Sequence, residues 1–430
     1  MHKFKLETEE LEQYFLELMD GRRRRWYDRA MCAVLFFASR CYRMGAQFRL
    51  WMYDKRVIRP HALGCLVVSI GNLSCGGTGK TPVVEVFARS LSSKGRRVAI
   101  LSRGYRSRRR SLWFRVKRMI HPLPAKAAAD GHDPLLNLEY AGEDAPAGRR
   151  GRRRSLWSRV RRMFRPLPPK VVSDGHDLLL NSEYAGDEPY MLASNLPDVA
   201  VLVDKDRVKS GIYAIDRFHS DVIILDDGFQ YLMLRPHINI VLVDSTDPFG
   251  NGHVLPRGIL REPIKNIRRA DYIFLTKSDG SHRIEHLKRF IRRHTKRAEI
   301  IECCHKPQHL VKLFSHEQEP LERLKNRRVA ALSAIARPES FEAFLKQLGA
   351  ELVVTDHYAD HHRYTQQELI DFVNQAKEAG ADMIVTTEKD AVRMPRLDRC
   401  DVPIYYLRIQ IDILSGEESF AQCISRICFM

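Results

Sequence analysis

The chain has 430 residues, 71 of them Lys or Arg against 53 Asp or Glu, giving a formal net charge of +18 at neutral pH. That length is enough for two domains of ordinary size with a core to spare. The nine cysteines are odd in number and scattered without metal-ligand spacing, Cys303 and Cys304 being adjacent, which argues for reduced thiols in a cytosolic setting and against a disulfide framework or a zinc site.

The N-terminal stretch RRRRWYDRAMCAVLFFASRCYRMGAQFRLWMYDK resembles a signal peptide at first sight. The uncharged window from Ala30 to Ser39 is too short to span a bilayer, and Arg40 and Arg43 follow without a small-residue cleavage site. Val34, Phe37, Cys41, Met44, Phe48 and Trp51 recur at alternating steps of three and four, so they share one face of a helix, with Arg40, Arg43 and Arg49 largely off it. Such a helix lies in a membrane interface or packs on the protein's own core.

Next comes SIGNLSCGGTGKTPVVEVFARSL, Ser69 to Leu91: an apolar β-rich run, a glycine loop, then apolar residues at helical spacing. Strand, glycine loop and helix is the context of a phosphate loop, here Ser74, Cys75, Gly76, Gly77, Thr78, Gly79, Lys80 and Thr81, with Ser in the first position instead of Gly. Loop amides converge on phosphate oxygens, Lys80 adds a point charge and the Thr81 hydroxyl suits Mg²⁺.

Short β-rich runs then alternate with helical stretches: Val98–Leu101, Val199–Val203, Val222–Leu225, Ile238–Val243 and Tyr272–Leu275, and a second set from Ile300 to Leu407. The alternation predicts an α/β fold, a phosphate-loop NTPase-like, doubly wound, mostly parallel sheet with a second, smaller α/β domain and an N-terminal amphipathic helix. The expected divisions are 1–60 for the region with the helix, 61–300 for the phosphate-loop domain, 301–325 for a polar linker and 326–430 for the C-terminal domain.

A basic insert, 107–183, interrupts the first domain. The segment from Arg108 to Asp144 recurs from Arg152 at a spacing of 44 with about 25 identities, a tandem duplication and not a solenoid. From Leu101 to Lys170 nineteen Lys or Arg face five Asp or Glu, a block that suits nucleic acid, anionic lipid headgroups, an anionic substrate or a solvated loop. Only the second copy, Asp187-Glu188, runs into a plausible helix, PYMLASNL, with Pro189 in its first turn. If either acidic pair does chemistry, it is this one.

DVIILDDGFQ places Asp226 and Asp227 at a strand's carboxyl edge, where ligands of α/β folds bind. Beside a phosphate loop a metal role is favoured over a turn with a helix cap. IFLTKSDG carries Thr276-Lys277-Ser278-Asp279, which matches the base-reading element of many GTPases in a pattern short enough for chance to produce.

Taken together, SIGNLSCGGTGKTP, SRGY (Ser102–Tyr105), GDEPYMLA, KDR (Lys205–Arg207), DDGFQ, GNGHVLPRGILREP and TTEKDAVRM resemble the tetraacyldisaccharide 4′-kinases, the lipid A 4′-kinase family, from about residue 30 onward except for the insert. The resemblance implies a two-domain α/β kinase with an interfacial helix, which with ATP and Mg²⁺ phosphorylates the 4′-hydroxyl of an acylated glucosamine disaccharide 1-phosphate. It implies a peripheral place at the cytoplasmic face of a Gram-negative inner membrane, anionic lipid as partner of the basic excess, and no nucleic acid. Carried over by position, the catalytic aspartate falls on Asp187 and a metal-binding glutamate on Glu188, while Thr81, Asp226 and Asp227 fall near Mg²⁺ and phosphate. The cooperating histidine falls in TDHYADHHRYTQQEL, best on His361, with His357 as runner-up and His362 as a third. Tyr105, Arg207, Asn251, Arg261 and Glu262 match positions associated with the disaccharide and its phosphate.

The chemistry is reasonable without the name. A sugar hydroxyl needs a positioned base during attack on the γ-phosphorus, a histidine can orient an aspartate for that task, and Lys80 with Mg²⁺ stabilises the transferring phosphoryl group. Two features depart from the family pattern. Tyr231 stands after DDGFQ where a histidine is common, and the insert follows SRGY where glycines are usual. Trp113 and Trp157, set among arginines, would give the insert interfacial affinity. The main alternative is a phosphate-loop GTPase of a metallochaperone or assembly type, motivated by TKSD. A nucleic-acid binder lacks any recognition helix or aromatic ribbon beside its charge.

Overall fold

The computed structural model of the protein describes residues 25–104, 167–397 and 400–429, with 14, 17–19 and 21 as separate positions. Tyr105, Trp113, Trp157 and the first acidic copy lie outside the described residues.

In chain order the elements are α1 (Trp26–Asp54), β1 (Leu66–Asn72), α2 (Lys80–Ser92) and β2 (Val98–Ser102). Then come β3 (Lys170–Asp174), α3 (Asp187–Asn195), β4 (Ala200–Val203), α4 (Arg207–Phe218) and β5 (Val222–Asp226). β6 (Ile238–Asp244), β7 (Tyr272–Thr276), α5 (His282–His294), β8 (Glu299–Lys312) and the short β9 (Gln318–Glu319) follow. The last third holds β10 (Arg328–Ser333), α6 (Pro338–Gln347), β11 (Glu351–His357), α7 (Gln366–Glu378), β12 (Met383–Thr387), β13 (Ile404–Ser415) and α8 (Glu417–Phe429).

The chain divides into two compact units. One comprises Met1–His61, Val68–Val86 and Asp227–Met430; the other comprises Ala62–Val67 and Phe87–Asp226. Within the first, strands run in the order β11-β10-β12-β13-β8-β7-β6-β1. All neighbours are parallel except β13 and β8. Alternate residues of its strands face opposite sides. Ala330, Leu332, Ile384 and Ile404 meet Leu369, Phe372 and Ala376 of α7, whereas Val329, Ala331, Met383, Val385 and Leu407 meet Phe341 and Leu345 of α6. Helices on both faces are what parallel strands require, since their crossovers must pack somewhere. Helix α7 starts in a capping box between Thr365 and Glu368. β8 and β13 form a long antiparallel ribbon from Tyr405↔Lys312 to Ser415↔Glu302. The stretch expected as a linker at 301–325 thus contains most of β8. One face of the ribbon is wet, so its alternating polar residues read as connector.

In the second unit the order is β5-β2-β4-β3, parallel but for β3, which runs against β4. β2, β4 and β5 are buried at every position, as continuous apolar runs of parallel sheets are.

Helix α1 exposes the apolar face that the sequence predicts: Val34, Phe37, Met44, Phe48 and Trp51 are open, Phe37 at 70% and Met44 at 72%. Its buried residues are Asp28, Ser39 and Leu50. The core-packing alternative for this face therefore does not hold among the described residues. No described helix is long and apolar enough to cross a membrane.

Gly71 of β1 allows Phe229 to close over the strand. A Cβ there would stand 2.7 Å from the Phe229 nitrogen and 2.8 Å from its Cβ, and Phe229 is buried. Gly71→Ala is expected to lower stability by about 1–3 kcal/mol, read from urea-unfolding midpoints.

Candidate active site

β1 ends at Asn72 and α2 starts at Lys80, so the glycine loop is held between two rigid elements. Its first half is fastened to the 259–261 segment: Cys75 N donates to Ile259 O at 2.7 Å, and Arg261 N donates to Leu73 O at 2.7 Å. Gly76 and Gly79 have φ of 120° and 74°, conformations open to glycine at little cost. Asn72 Nδ2 donates to Thr78 Oγ1 at 3.0 Å, and Lys80 Nζ reaches Asn72 Oδ1 at 3.4 Å.

Lys80 Nζ also lies 3.4 Å from Asp227 Oδ1. Arg261 Nη1 donates to both Asp227 oxygens, at 2.8 and 2.7 Å. Burial works against the charged form of Asp227, but Lys80 and Arg261 together overcome it and hold this carboxyl below its ordinary range. The loop motif, the DDGFQ acid and the LREP arginine thus meet in one cluster, as the sequence cannot show.

A second cluster holds the loop from another side. Lys277 Nζ, at the end of β7, donates to Gly77 O at 2.7 Å and to Asp244 Oδ2 at 2.6 Å. Thr276 Oγ1 donates to Thr78 O at 2.9 Å. His305 of β8 brings Nε2 to within 2.7 Å of where a Cβ on Gly79 would stand, and that nitrogen is sealed from solvent with no hydrogen-bond partner among the described residues. Burial, then the Lys277 charge, push the His305 pKa down to about 4, with Asp244 opposing. Asp244, Lys277 and His305 were not among the sequence candidates. Asp244 ends an apolar strand and Lys277 sits in TKSD, so each left a signal; His305, inside the ribbon, left none.

Asp226 is buried and accepts from Ser102 Oγ at 2.8 Å. Asp187 and Glu188 open α3, where acidic side chains favour the positive helix end. Gly186, with φ 94° and ψ 152°, turns the chain into this helix, and Asp187 is buried. Arg207, first in α4 after its Asp206 cap, is buried. Asn251 Nδ2 donates to Arg257 O at 2.9 Å and Met19 O at 3.1 Å. Glu262 is buried and pairs with Arg269 at 2.6 Å. Tyr231 N donates to Gly228 O at 2.8 Å in the turn after DDGF.

The three histidines separate cleanly. His357 Nε2 lies 3.0 Å from Glu342, on one flank of β11. His362 is 3.1 Å from Glu368 and stacks on Tyr358, centroids 4.6 Å apart. His361, at φ 68°, has Nδ1 3.0 Å from Arg393 Nη2 and Nε2 3.3 Å from Lys389 Nζ. TTEKDAVRM supplies both cations, and a fully buried Arg393–Asp390 pair at 3.2 Å holds that segment. Arg408 of β13 joins Glu388 of the same segment to Glu85 of α2.

His305 makes folding sensitive to acid. The folded state keeps it neutral to about pH 4, whereas an unfolded histidine takes up a proton near pH 6.5. The unfolded chain therefore binds more protons between those values, and stability falls as pH is lowered through that window, by up to about 3 kcal/mol from this group. Urea midpoints at about pH 7 and about pH 5 are expected to differ less in His305→Asn than in the parent.

A family model described as tetraacyldisaccharide-1-P 4′-kinase matches residues 31–143 and 150–428. A tetraacyldisaccharide 4′-kinase of Anaeromyxobacter sp. (strain K) is 38% identical over 364 residues, 84% of this chain and 81% of the relative. One from Syntrophus aciditrophicus (strain SB) is 35% identical over 397 residues, 90% and 91% of the two chains. Among solved structures, an LpxK from Aquifex aeolicus in complex with ATP aligns at a TM-score of 0.64 and 27% identity, covering 92% of this chain and 99% of that one. With the phosphate loop, its paired lysine and the seven ordered motifs in place, the chain belongs to the tetraacyldisaccharide-1-P 4′-kinase family.

Proposed function

We propose that this chain transfers the γ-phosphate of ATP to the 4′-hydroxyl of a tetraacylated glucosamine disaccharide 1-phosphate, a lipid A precursor, as a peripheral enzyme at the cytoplasmic face of a Gram-negative inner membrane. The observation that carries this reading is the glycine loop with Lys80 poised at Asp227, in a chain the kinase family matches nearly end to end. A GTPase of the metallochaperone type is motivated only by TKSD, whose Thr276 and Lys277 are both bonded to the loop backbone.

The loop amides and Lys80 bind the ATP phosphates, and Lys80 exchanges Asp227 for phosphate oxygens as they arrive. Mg²⁺ favours hard oxygens, few carboxylates and substrate phosphates; by the family resemblance Thr81, Glu188, Asp226 and Asp227 would be its holders, and Asp227 is the one already paired, with Arg261 and Lys80. When bound, the ion supplies charge neutralisation at the phosphates. Asp187 accepts the proton of the acceptor hydroxyl, from its place in the first turn of α3. His361 assists the proton transfer, its ring oriented by Arg393 and Lys389. Arg207, Asn251, Arg261, Glu262 and Tyr105 are the proposed contacts to the sugars and the 1-phosphate. Glu262 also orders its own segment through Arg269.

The open face of α1 lies in the membrane surface, with its arginines toward headgroups. Phe37→Glu combined with Met44→Glu is expected to reduce co-sedimentation with anionic phospholipid vesicles about tenfold or more, while ATP binding in solution stays intact. In a radiolabelled-phosphate transfer assay with the lipid disaccharide 1-phosphate, Asp187→Asn is expected to lower kcat about 10²-fold or more at unchanged ATP affinity. Turnover within a few-fold of the parent would remove Asp187 as the base.

A further inference from the structure

The phosphate loop has two lysines, and only Lys80 belongs to its motif. Lys277 directly follows β7, two hundred residues after Gly77, and is itself held in the left-handed region at φ 54°. Its ammonium is divided between Gly77 O at 2.7 Å and Asp244 Oδ2 at 2.6 Å. Its neighbour Thr276, fully buried, gives its hydroxyl hydrogen to the next loop carbonyl, Thr78 O, at 2.9 Å. Two successive loop carbonyls are thus tied down by two successive residues of one strand end.

A trans peptide is planar, with its C=O and N–H pointing opposite ways. Fixing the Gly77 and Thr78 carbonyls on one side therefore fixes the N–H groups of Thr78 and Gly79 on the other. Left to itself, a glycine-rich loop can flip whole peptide planes by rotation about the φ and ψ that flank them. A carbonyl turned toward a polyphosphate replaces an attraction with a repulsion. The Thr78 N–H makes only a tight local contact to Gly76 O at 3.1 Å, which a phosphate oxygen would displace. His305 fills the space behind Gly79, closing off rotation there.

We propose that Thr276 and Lys277, with Asp244 as counter-ion, form a backbone clamp that presets the phosphate loop for ATP by holding its carbonyls away from the phosphates. Both are positioning residues, and the inference rests on the ATP-binding reading given above. Asp244 is itself fixed: Thr246 gives its hydroxyl hydrogen to Asp244 Oδ1 at 2.6 Å and accepts from Arg337 Nη1 at 2.6 Å. Lys277 therefore cannot swing out to the solvent without leaving a buried carboxylate with no counter-ion. The GTPase-like tetrapeptide acquires a use that has nothing to do with reading a base.

The test is ATP titration of the full chain, with steady-state kinetics varied separately in ATP and in the lipid disaccharide 1-phosphate. Lys277→Met is expected to raise the Kd and KM for ATP about tenfold or more, with the lipid KM within about twofold. Thr276→Val, isosteric and without change of charge, should raise them about threefold or more. Lys277→Arg and Thr276→Ser should recover most of each loss. Parent protein that fails to bind ATP would overturn the underlying reading. Parent protein that binds ATP while Lys277→Met and Thr276→Val bind it equally well would overturn the clamp alone. A loss that strikes the ATP and lipid constants alike, along with a lower Tm, would also overturn it, as mere structural support. Should Lys277→Met fail to fold, Thr276→Val decides: wild-type ATP affinity there sinks the proposal.

Discussion

Everything at the nucleotide end of this protein depends on how two lysines are paired and held in place. Lys80 and Lys277 each face a carboxylate, Asp227 and Asp244, and each carboxylate is pinned by a further donor, Arg261 in one case and Thr246 in the other. Half-buried cations without counter-ions would lose more by desolvation than the loop could return. With the acids in place, the lysines wait in defined positions at modest cost. The pairs differ in strength. Lys80 is held at 3.4 Å and Lys277 at 2.6 Å.

Much of the architecture was legible because its causes are local. Apolar runs such as Val98–Leu101 and Val222–Leu225 are strands buried on both faces, and a parallel strand has no polar face to hide. The strand, glycine loop and helix around Lys80 stand as read, as does the helix opened by Asp187 and Pro189. The β8–β13 ribbon was not legible. Residues such as Lys306, Gln308 and His309 are those of a connector unless one knows that β13 lies opposite. β3, in the middle of the second copy, is likewise a strand only because β4 offers its edge.

The candidate residues can be picked out by motif, but their contacts cannot. Asp227 and Arg261 could each be singled out, but nothing in the linear order tells that they bind one another. Glu262 could be singled out as a polar residue in GNGHVLPRGILREP, yet its carboxylate is committed to Arg269 and Asn266. Among the histidines, the preference for His361 rested on spacing. The structure adds that His362 is stacked and paired in the α7 cap, whereas His361 has both ring nitrogens beside cations. His305 shows the limit: burial against a glycine is a property of two distant segments meeting, and no pattern along the chain records it.

The unit that carries the phosphate loop is written in pieces. Val68–Val86 belongs with Asp227–Met430, and the whole of Phe87–Asp226 intervenes. β1 finds its parallel partner β6 about 170 residues later, so the loop hangs on a closure of high entropic cost. On a ribosome, the glycine loop emerges long before Asp227, Asp244, Lys277 or His305 exists to hold it. Nucleotide competence is therefore acquired late in synthesis, and a nascent chain stalled inside the intervening segment would carry the glycine motif without the means to use it.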